Sequence, residues 1–216
     1  FKLGGKIREI QIEQQIVSEY EQEQKDSLPE YMEYLRTREF REISRFLKHL
    51  PTLPKREKII RDDKVTEAID SIPENEVVVR ASGFIEAKLI AVSNLLAETP
   101  SNHRIHRVRT YLKQIYYLYD QLETTTDMLV KLKASKEQIR ETEQVIGLWH
   151  DLVNSRYYLN GFFKSKNFNN KDKYRRYQQH ISRKRKEMRQ LISKEYFFRL
   201  RNDLSITKFS DDHTSQ

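Results

Sequence analysis

Hydrophobic residues recur at intervals of three and four along most of this chain, which is the spacing of one face of an α-helix. The clearest stretch is 102–120, whose apolar stripe consists of Ile105, Val108, Leu112, Ile115 and Leu118. No six residues alternate convincingly between apolar and polar, and only five Gly and five Pro serve turns between strands. The sequence therefore predicts an all-α protein, a helical bundle of long antiparallel helices.

Helical spacing places the long helices over residues 6–25, 27–50, 75–98, 102–132, 135–163 and 173–201, with a short one near 65–71. Capping boxes at Ser27–Glu30 and Ser135–Gln138 mark two of the helix starts, and Ser101 or Asn102 is expected to cap a third. A polar loop is predicted at 164–172. The side chains predicted to face the core include Ile7, Ile10, Gln14, Val17, Met32, Leu35, Leu47, Leu50, Val78, Ile85, Val92, Trp149, Val153, Tyr157, Tyr177 and Ile181.

The composition limits the classes of protein to which the chain can belong. Its 216 residues suffice for one or two compact units, and the lack of Cys excludes disulfides, zinc–thiolate sites, iron–sulfur clusters and Cys nucleophiles. No signal peptide or apolar run of membrane-spanning length is present, so we expect a cytoplasmic protein without a membrane partner. The chain opens at Phe1 with what reads as the interior of an element, and we expect it to be a piece of a longer protein.

Positive charge is concentrated in the second half of the chain. Residues 1–100 hold 16 Lys and Arg against 19 Asp and Glu, which leaves 24 against 13 for residues 101–216 and an overall net charge of +8. A polyanion is therefore expected to bind to the second half.

One line of basic side chains follows the segment 102–120. His106, Arg109 and Lys113 are spaced by three and four residues and share a face of the helix, which Tyr117 continues one turn later. Such a line suits phosphate binding. The alternative is a surface helix whose Arg and Lys stems cover apolar neighbours, and for Tyr117 packing is favoured over donation to phosphate.

Two motifs together carry a resemblance to a known family. The first is His106-x-x-Arg109-x-x-x-Lys113-x-x-x-Tyr117. The second is Ile146-Gly147-Leu148-Trp149-His150-Asp151. In this combination the chain resembles the CHAD family, the conserved histidine α-helical domain, which also has a late basic helix where this chain reads KYRRYQQHISRKRKEMRQLI. The family's pattern usually places Arg before the Tyr of the first motif, where this chain has Tyr116.

The resemblance implies a division of the chain. Residues 1–50 correspond to the last two helices of the first CHAD half, 51–74 to a linker, 75–203 to the second half as a four-helix bundle, and 204–216 to a flexible tail. A short internal echo supports two repeated halves, since Gly5-Lys6-Ile7-Arg8-Glu9 stands where the first half's counterpart of the Gly147 motif belongs. The first half's own basic helix is expected to lie before Phe1.

The resemblance also implies a function. CHAD domains bind inorganic polyphosphate in a basic central channel between two helical halves and are not known for catalysis, so we expect non-enzymatic polyphosphate binding, with targeting to polyphosphate granules. The candidate ligand contacts are His106, Arg109, Lys113, Tyr117, Arg80, Lys88, His150, Arg183, Lys184, Arg185 and Arg8.

Two other functions remain open on the sequence. A nucleic-acid-binding helical protein would also have a pI near 9.4 and a helix such as RRYQQHISRKRKEMR. A helical phosphoesterase is least favoured, because no carboxylate cluster, phosphate loop or nucleophile–base pair emerges, and adjacent His150 and Asp151 point about 100° apart on a helix. We therefore predict no catalytic residue, metal or cofactor.

Overall fold

The computed structural model describes residues 2–50, 71–97, 100–122, 133–165 and 172–206, and no strand occurs among them. They form α1 (Lys2–Gln24), α2 (Pro29–His49), α3 (Glu74–Leu96), α4 (Asn102–Leu122), α5 (Lys133–Ser165), α6 (Asp172–Leu191) and α7 (Phe197–Ile206). A π-helical segment, Ile192–Tyr196, joins α6 to α7. The all-α prediction is confirmed. Most of the predicted linker, short helix, polar loop and tail lies outside the described residues.

No helix in the described ranges combines the length and the apolar character needed to cross a membrane.

One of the three predicted helix caps is present. The Ser101 hydroxyl accepts the backbone N–H of Arg104 at 3.3 Å, and the Ser101 carbonyl accepts that of Ile105 at 3.0 Å, so α4 begins as the sequence indicates. Both capping-box predictions are wrong. Helix α5 already includes Lys133, two residues before Ser135.

The predicted box at the start of α2 fails because its side chains bind elsewhere. The residue before the helix is Leu28, without a side-chain cap, although Pro29 does occupy the first turn as predicted. The Ser27 hydroxyl donates to a Glu21 oxygen at 3.4 Å. The Glu30 carboxylate accepts from Lys173 at 2.8 Å and from the Tyr174 hydroxyl, and these two hydrogen bonds lower the pKa of Glu30 to about 2.

The described residues divide into two compact units, each built from separated parts of the chain. Unit 1 draws on Phe1–Asp62 and Trp149–Glu187, and unit 2 draws on Asp63–Leu148 and Met188–Gln216. The predicted boundaries at residues 50 and 75 follow the order of the chain, whereas α5 and α6 each contribute residues to both units. The correspondence of 75–203 to one half of a CHAD domain stays a prediction.

The core of unit 1 is rich in aromatic rings. Phe162 is fully buried, and its ring centroid lies 4.9 Å from that of Tyr31, 5.0 Å from Tyr174 and 5.4 Å from Tyr34. Tyr177 is also fully buried and lies 5.9 Å from Tyr31. Separations of this size in tilted arrangements are the favourable geometry for aromatic pairs.

A carboxyl group is buried among these rings. Glu13 of α1 is 1% exposed, and it accepts the Tyr31 hydroxyl at 2.8 Å and the Tyr177 hydroxyl at 3.0 Å. Burial raises the pKa of Glu13 to about 7, although hydrogen bonds from Ser155 and the two tyrosines act in the opposite direction. The sequence predicted Gln14 as inward-facing, but Gln14 is only half-buried, because the tyrosine hydroxyls supply the donors that Glu13 needs.

Three of the side chains predicted to face the core are exposed instead. Leu47 and Leu50 are 56% and 42% exposed, because the buried face of α2 is set by Tyr31, Leu35 and Glu42. At about 100° per residue, Leu47 lies about 140° around the helix from Glu42. Tyr157 is 64% exposed. The next residue, Tyr158, is 3% exposed instead, and its hydroxyl donates to Glu9 at 3.3 Å.

The core of unit 2 follows the predicted spacing closely. Its buried hydrophobic side chains in α3, α4 and the first part of α5 are Val78, Ala81, Ile85, Val92, Leu96, Ile105, Val108, Leu112, Ile115, Tyr119, Ile139 and Ile146. The apolar stripe of α4 is thus confirmed, except that Tyr119 is buried more fully than the neighbouring Leu118.

Gly161 of α5 allows α2 to approach closely. A Cβ at this position would lie 2.8 Å from the Tyr34 hydroxyl and 3.4 Å from Nη1 of Arg38, which donates to that hydroxyl at 2.8 Å. We expect Gly161→Ala to lower the free energy of unfolding by about 1 kcal/mol, the displaced hydrogen bond outweighing the gain in helix propensity. Gly83→Ala is the control, since a Cβ there meets nothing within 4 Å, and it should stabilise α3 by about 0.5–1 kcal/mol. Urea unfolding measures both, and a stabilised Gly161→Ala protein would contradict the close approach.

Candidate functional site

The predicted basic line lies along one side of the buried stripe of α4. His106 is exposed, Lys113 is half-buried, and Tyr117 is 55% exposed. The Lys113 ammonium is 5.5 Å from the centroid of the Tyr117 ring, within range of a cation–π interaction. Arg109 shares this side of α4 but points toward α5.

Arg109 joins the two motifs on which the family resemblance rests. Its Nη2 lies 3.1 Å from a carboxylate oxygen of Glu143 in α5, and both side chains are mostly buried, at 29% and 19% exposure. Its Nε and Nη2 lie 3.4 Å from the point where Gly147 would carry a Cβ. Gly147 therefore lets the guanidinium rest against α5. The charge of Arg109 is already shared with Glu143, so a ligand would compete for it.

A lysine from α5 stands beside Tyr116, the residue that departs from the family pattern. The Lys136 ammonium lies 5.9 Å from the centroid of the Tyr116 ring and 3.4 Å from a carboxylate oxygen of Asp120. A cation from a different helix therefore lies beside the Tyr116 ring.

The opposite side of α4 faces α3. The Lys88 ammonium lies 4.5 Å from the ring centroid of Tyr111 and 5.0 Å from that of Phe84. Arg107 donates to the Tyr111 hydroxyl at 2.8 Å, and this hydrogen bond, together with the charges of Arg107 and Lys88, lowers the pKa of Tyr111. Tyr111 is two residues from Arg109, about 200° around the helix. The structure therefore separates Lys88 from the predicted line.

A pocket of about 440 Å³ lies on this side, and we call it the α3–α4 pocket. It is lined by Ala91, Asn94, Leu95, Ser101, His103, Arg104 and Arg107. Two arginines and a histidine contribute, and none of these seven residues is acidic. Sequence reasoning missed the pocket. The signal was present in Arg104 and Arg107, three residues apart, but spacing along one helix does not show which neighbour completes a pocket.

The remaining candidate of unit 2 is on the surface. Arg80 in α3 is exposed and forms an ion pair with Glu76, one turn earlier. Unit 2 thus holds six of the predicted contacts, namely Arg80, Lys88, His106, Arg109, Lys113 and Tyr117.

The other five predicted contacts belong to unit 1. Arg8 of α1 and Arg183 of α6 are exposed, and Arg185 is half-buried. Lys184 pairs with Glu23 of α1 at 3.2 Å. His150 of α5 is half-buried, with its Nδ1 3.4 Å from the side-chain amide of Asn154.

The described side chains suit the binding of anions. Within the described ranges, no three His, Asp or Glu side chains come close enough together to hold a metal ion. What α4 offers is a set of guanidinium, ammonium and imidazole groups with fixed backbone positions, which can bind phosphate oxygens through charge-assisted hydrogen bonds.

Comparison of the chain with known protein families, with characterised proteins and with solved structures gave no match, so the resemblance to the CHAD family stays a prediction.

Proposed function

We propose that this chain binds inorganic polyphosphate through the basic side chains of α4, without changing it chemically, and that this attaches the protein to polyphosphate granules. The observation that carries the proposal is the α3–α4 pocket, where His103, Arg104 and Arg107 meet and none of the seven described lining residues is acidic.

The physical chemistry of the ligand fits such a surface. A polyphosphate chain carries a dense row of equivalent negative charges and no base sequence to be read. Arginine suits it, because the planar guanidinium can donate two hydrogen bonds to one phosphate group. The Lys88 ammonium, over the Tyr111 ring, and the Arg107 guanidinium, bound to the Tyr111 hydroxyl, are both held in place before a ligand arrives. Less side-chain entropy is then lost on binding.

The two sides of α4 are expected to contribute unequally. On the predicted line, Arg109 must give up part of its interaction with Glu143 before it can bind a phosphate. On the other side, Arg104 and Arg107 line a cavity that is already formed. The pocket side is therefore expected to contribute more to affinity than Arg109 does.

Calorimetric titration with long-chain polyphosphate tests the proposal. The double variant Arg104→Ala/Arg107→Ala should bind about 10- to 100-fold more weakly, from the loss of two or more charge-assisted hydrogen bonds. The control is Arg140→Ala/Arg199→Ala, which removes the same charge from unit 2 at exposed arginines paired with Glu137 and Glu195. Its affinity should stay within about threefold of the parent protein. Equal losses in the two variants, or no binding by the parent protein, would overturn the proposal.

The same titration separates polyphosphate from nucleic acid. With about four phosphate contacts, affinity should fall about 50-fold between 50 and 200 mM salt, by analogy with single-stranded nucleic acid. Polyphosphate should displace a bound RNA at equal phosphate concentration. RNA that resists this displacement would instead identify a nucleic-acid-binding protein.

A further inference from the structure

Unit 1 contains a second pocket, which we call the α1–α6 pocket. Its volume is about 460 Å³, and it is lined by Tyr20, Gln24, Asp26, Arg176, Gln179, His180 and Arg183. Tyr20 and Gln24 lie in the last turns of α1, Asp26 follows that helix, and the other four residues belong to α6. A pocket of this size is within the range that small-molecule sites occupy.

One wall of the pocket is held by an internal ion pair. Arg176 approaches one Asp26 carboxylate oxygen with Nε at 3.0 Å and Nη2 at 2.8 Å, and the Tyr20 hydroxyl lies 3.4 Å from the same oxygen. The chain turns into this position through Lys25, whose φ of 52° is in the left-handed region. Because Arg176 and Asp26 neutralise each other, this wall helps to form the pocket but contributes little net charge to it.

The base of the pocket is a histidine packed against an aromatic ring. His180 is 8% exposed, and its ring lies edge-on to Tyr20 with the centroids 4.9 Å apart. Burial and the charges of Lys184 and Arg183 lower the pKa of His180, against the influence of Glu23 and Glu187. A neutral imidazole has one nitrogen that donates and one that accepts a hydrogen bond, which matches a hydroxyl group.

The remaining groups define the chemistry of a ligand. Arg183 is the lining cation left outside the Asp26 ion pair, and it is exposed. Gln24 and Gln179 add two amides, each of which can both donate and accept. One cation beside several neutral polar groups suits a molecule with one anionic group and several hydroxyls. Free phosphate would fill only a small part of 460 Å³.

The aromatic side chain in the lining argues against a nucleotide. Bases bind by stacking on an exposed aromatic face. Tyr20 is only 4% exposed, and its ring is packed against His180 and Tyr177, with centroid distances of 4.9 Å to each. The described lining residues therefore offer polar groups for a sugar but no platform for a base.

We propose that the α1–α6 pocket binds a sugar phosphate, with the phosphate on Arg183 and the sugar hydroxyls on Gln24, Gln179 and His180. This site goes beyond polyphosphate binding, because it uses other residues, lies in the other unit and takes a ligand with a single phosphate group.

Titration of the whole chain with ribose 5-phosphate, ribose and inorganic phosphate tests this site. Ribose 5-phosphate should bind with one-to-one stoichiometry and at least about tenfold more tightly than either ribose or phosphate alone. Arg183→Ala should weaken it by about tenfold or more. Arg175→Ala is the matched control, since Arg175 is an exposed arginine of the same helix paired with Asp172, and it should leave the affinity within about twofold.

Several results would overturn the sugar phosphate site. One is that the parent protein shows no saturable binding of ribose 5-phosphate, and another is that Arg183→Ala binds it as tightly as the parent protein does. The others are that phosphate alone binds as tightly as ribose 5-phosphate, and that adenosine monophosphate binds more tightly. Circular dichroism of each variant confirms that it is folded. Arg104 and Arg107 do not line the α1–α6 pocket, so the Arg104→Ala/Arg107→Ala variant should bind ribose 5-phosphate as the parent protein does. A failure of polyphosphate binding can therefore be told apart from a failure of sugar phosphate binding.

Discussion

The change that Glu13→Gln makes to the free energy of unfolding is expected to be about 3 kcal/mol more favourable at pH 8 than at pH 4. The stability of the variant should therefore depend less on pH between these values than that of the parent protein. Burial raises the pKa of Glu13 from 4.5 to about 7 in the folded protein. Between these pH values the folded protein holds a proton that the unfolded chain has lost. The free energy of unfolding therefore falls as the pH rises from about 4.5 to about 7, and it changes little from this source outside that window. Glutamine has a similar shape and no charge at any of these pH values.

Urea unfolding at pH 4, 5.5, 7 and 8 measures this effect, and Trp149, which is 2% exposed, provides the fluorescence signal. Tyr177→Phe is an informative second variant. The Tyr177 hydroxyl donates to Glu13 at 3.0 Å, and this hydrogen bond lowers the pKa of the Glu13 carboxyl. Without it the pKa should be higher, so the fall in the free energy of unfolding should extend to higher pH. Parallel pH profiles for the parent protein and Glu13→Gln would show that Glu13 is not the group responsible.

Alanine in place of Phe162 should lower the free energy of unfolding by about 3–5 kcal/mol. The ring is fully buried and lies within 5.4 Å, between centroids, of Tyr31, Tyr34 and Tyr174. Its removal loses the free energy gained by transferring an aromatic side chain out of water, and the cavity left among rigid rings lowers the stability further.

The control for Phe162→Ala is Tyr157→Ala in the same helix. Tyr157 is 64% exposed, so its loss should cost less than about 1 kcal/mol, mainly through the contact with Arg38, which lies 5.6 Å from the Tyr157 ring centroid. Both values come from urea unfolding at a single pH. If the two variants lose similar amounts of unfolding free energy, the aromatic cluster is not the main source of stability in the core of unit 1.

The helices, and the buried face of those with a regular apolar stripe, were predictable because an amphipathic helix buries its apolar side. Val78, Ile85 and Val92 in α3 keep to one stripe, and all three are buried as predicted. Where two neighbouring polar or aromatic residues could each be the buried one, the sequence did not predict which of them is buried. Neither Glu13 nor Gln14 is apolar, and Tyr157 and Tyr158 are chemically identical. The choice within each pair depends on partners in other helices.

The candidate site shows the same limit. Spacing correctly placed His106, Arg109 and Lys113 on one side of α4, but it did not show that Glu143, 34 positions later, shares the charge of Arg109. Nor did it show that Arg104 and Arg107 line a pocket with α3. Both facts depend on how helices pack, because the electrostatic environment of a cation is set by neighbours distant in sequence.

The separated segments of unit 1 have a consequence for how the protein is made. Tyr158, Tyr174 and Tyr177 bring their hydroxyls to carboxylates of Glu9, Glu30 and Glu13, which precede them in the chain by 149, 144 and 164 residues. During translation, α1 and α2 leave the ribosome long before α6 is synthesised. Until then the first two helices lack these partners, so a chaperone that binds exposed apolar side chains would find its target on their unpaired faces, in the segment 2–49.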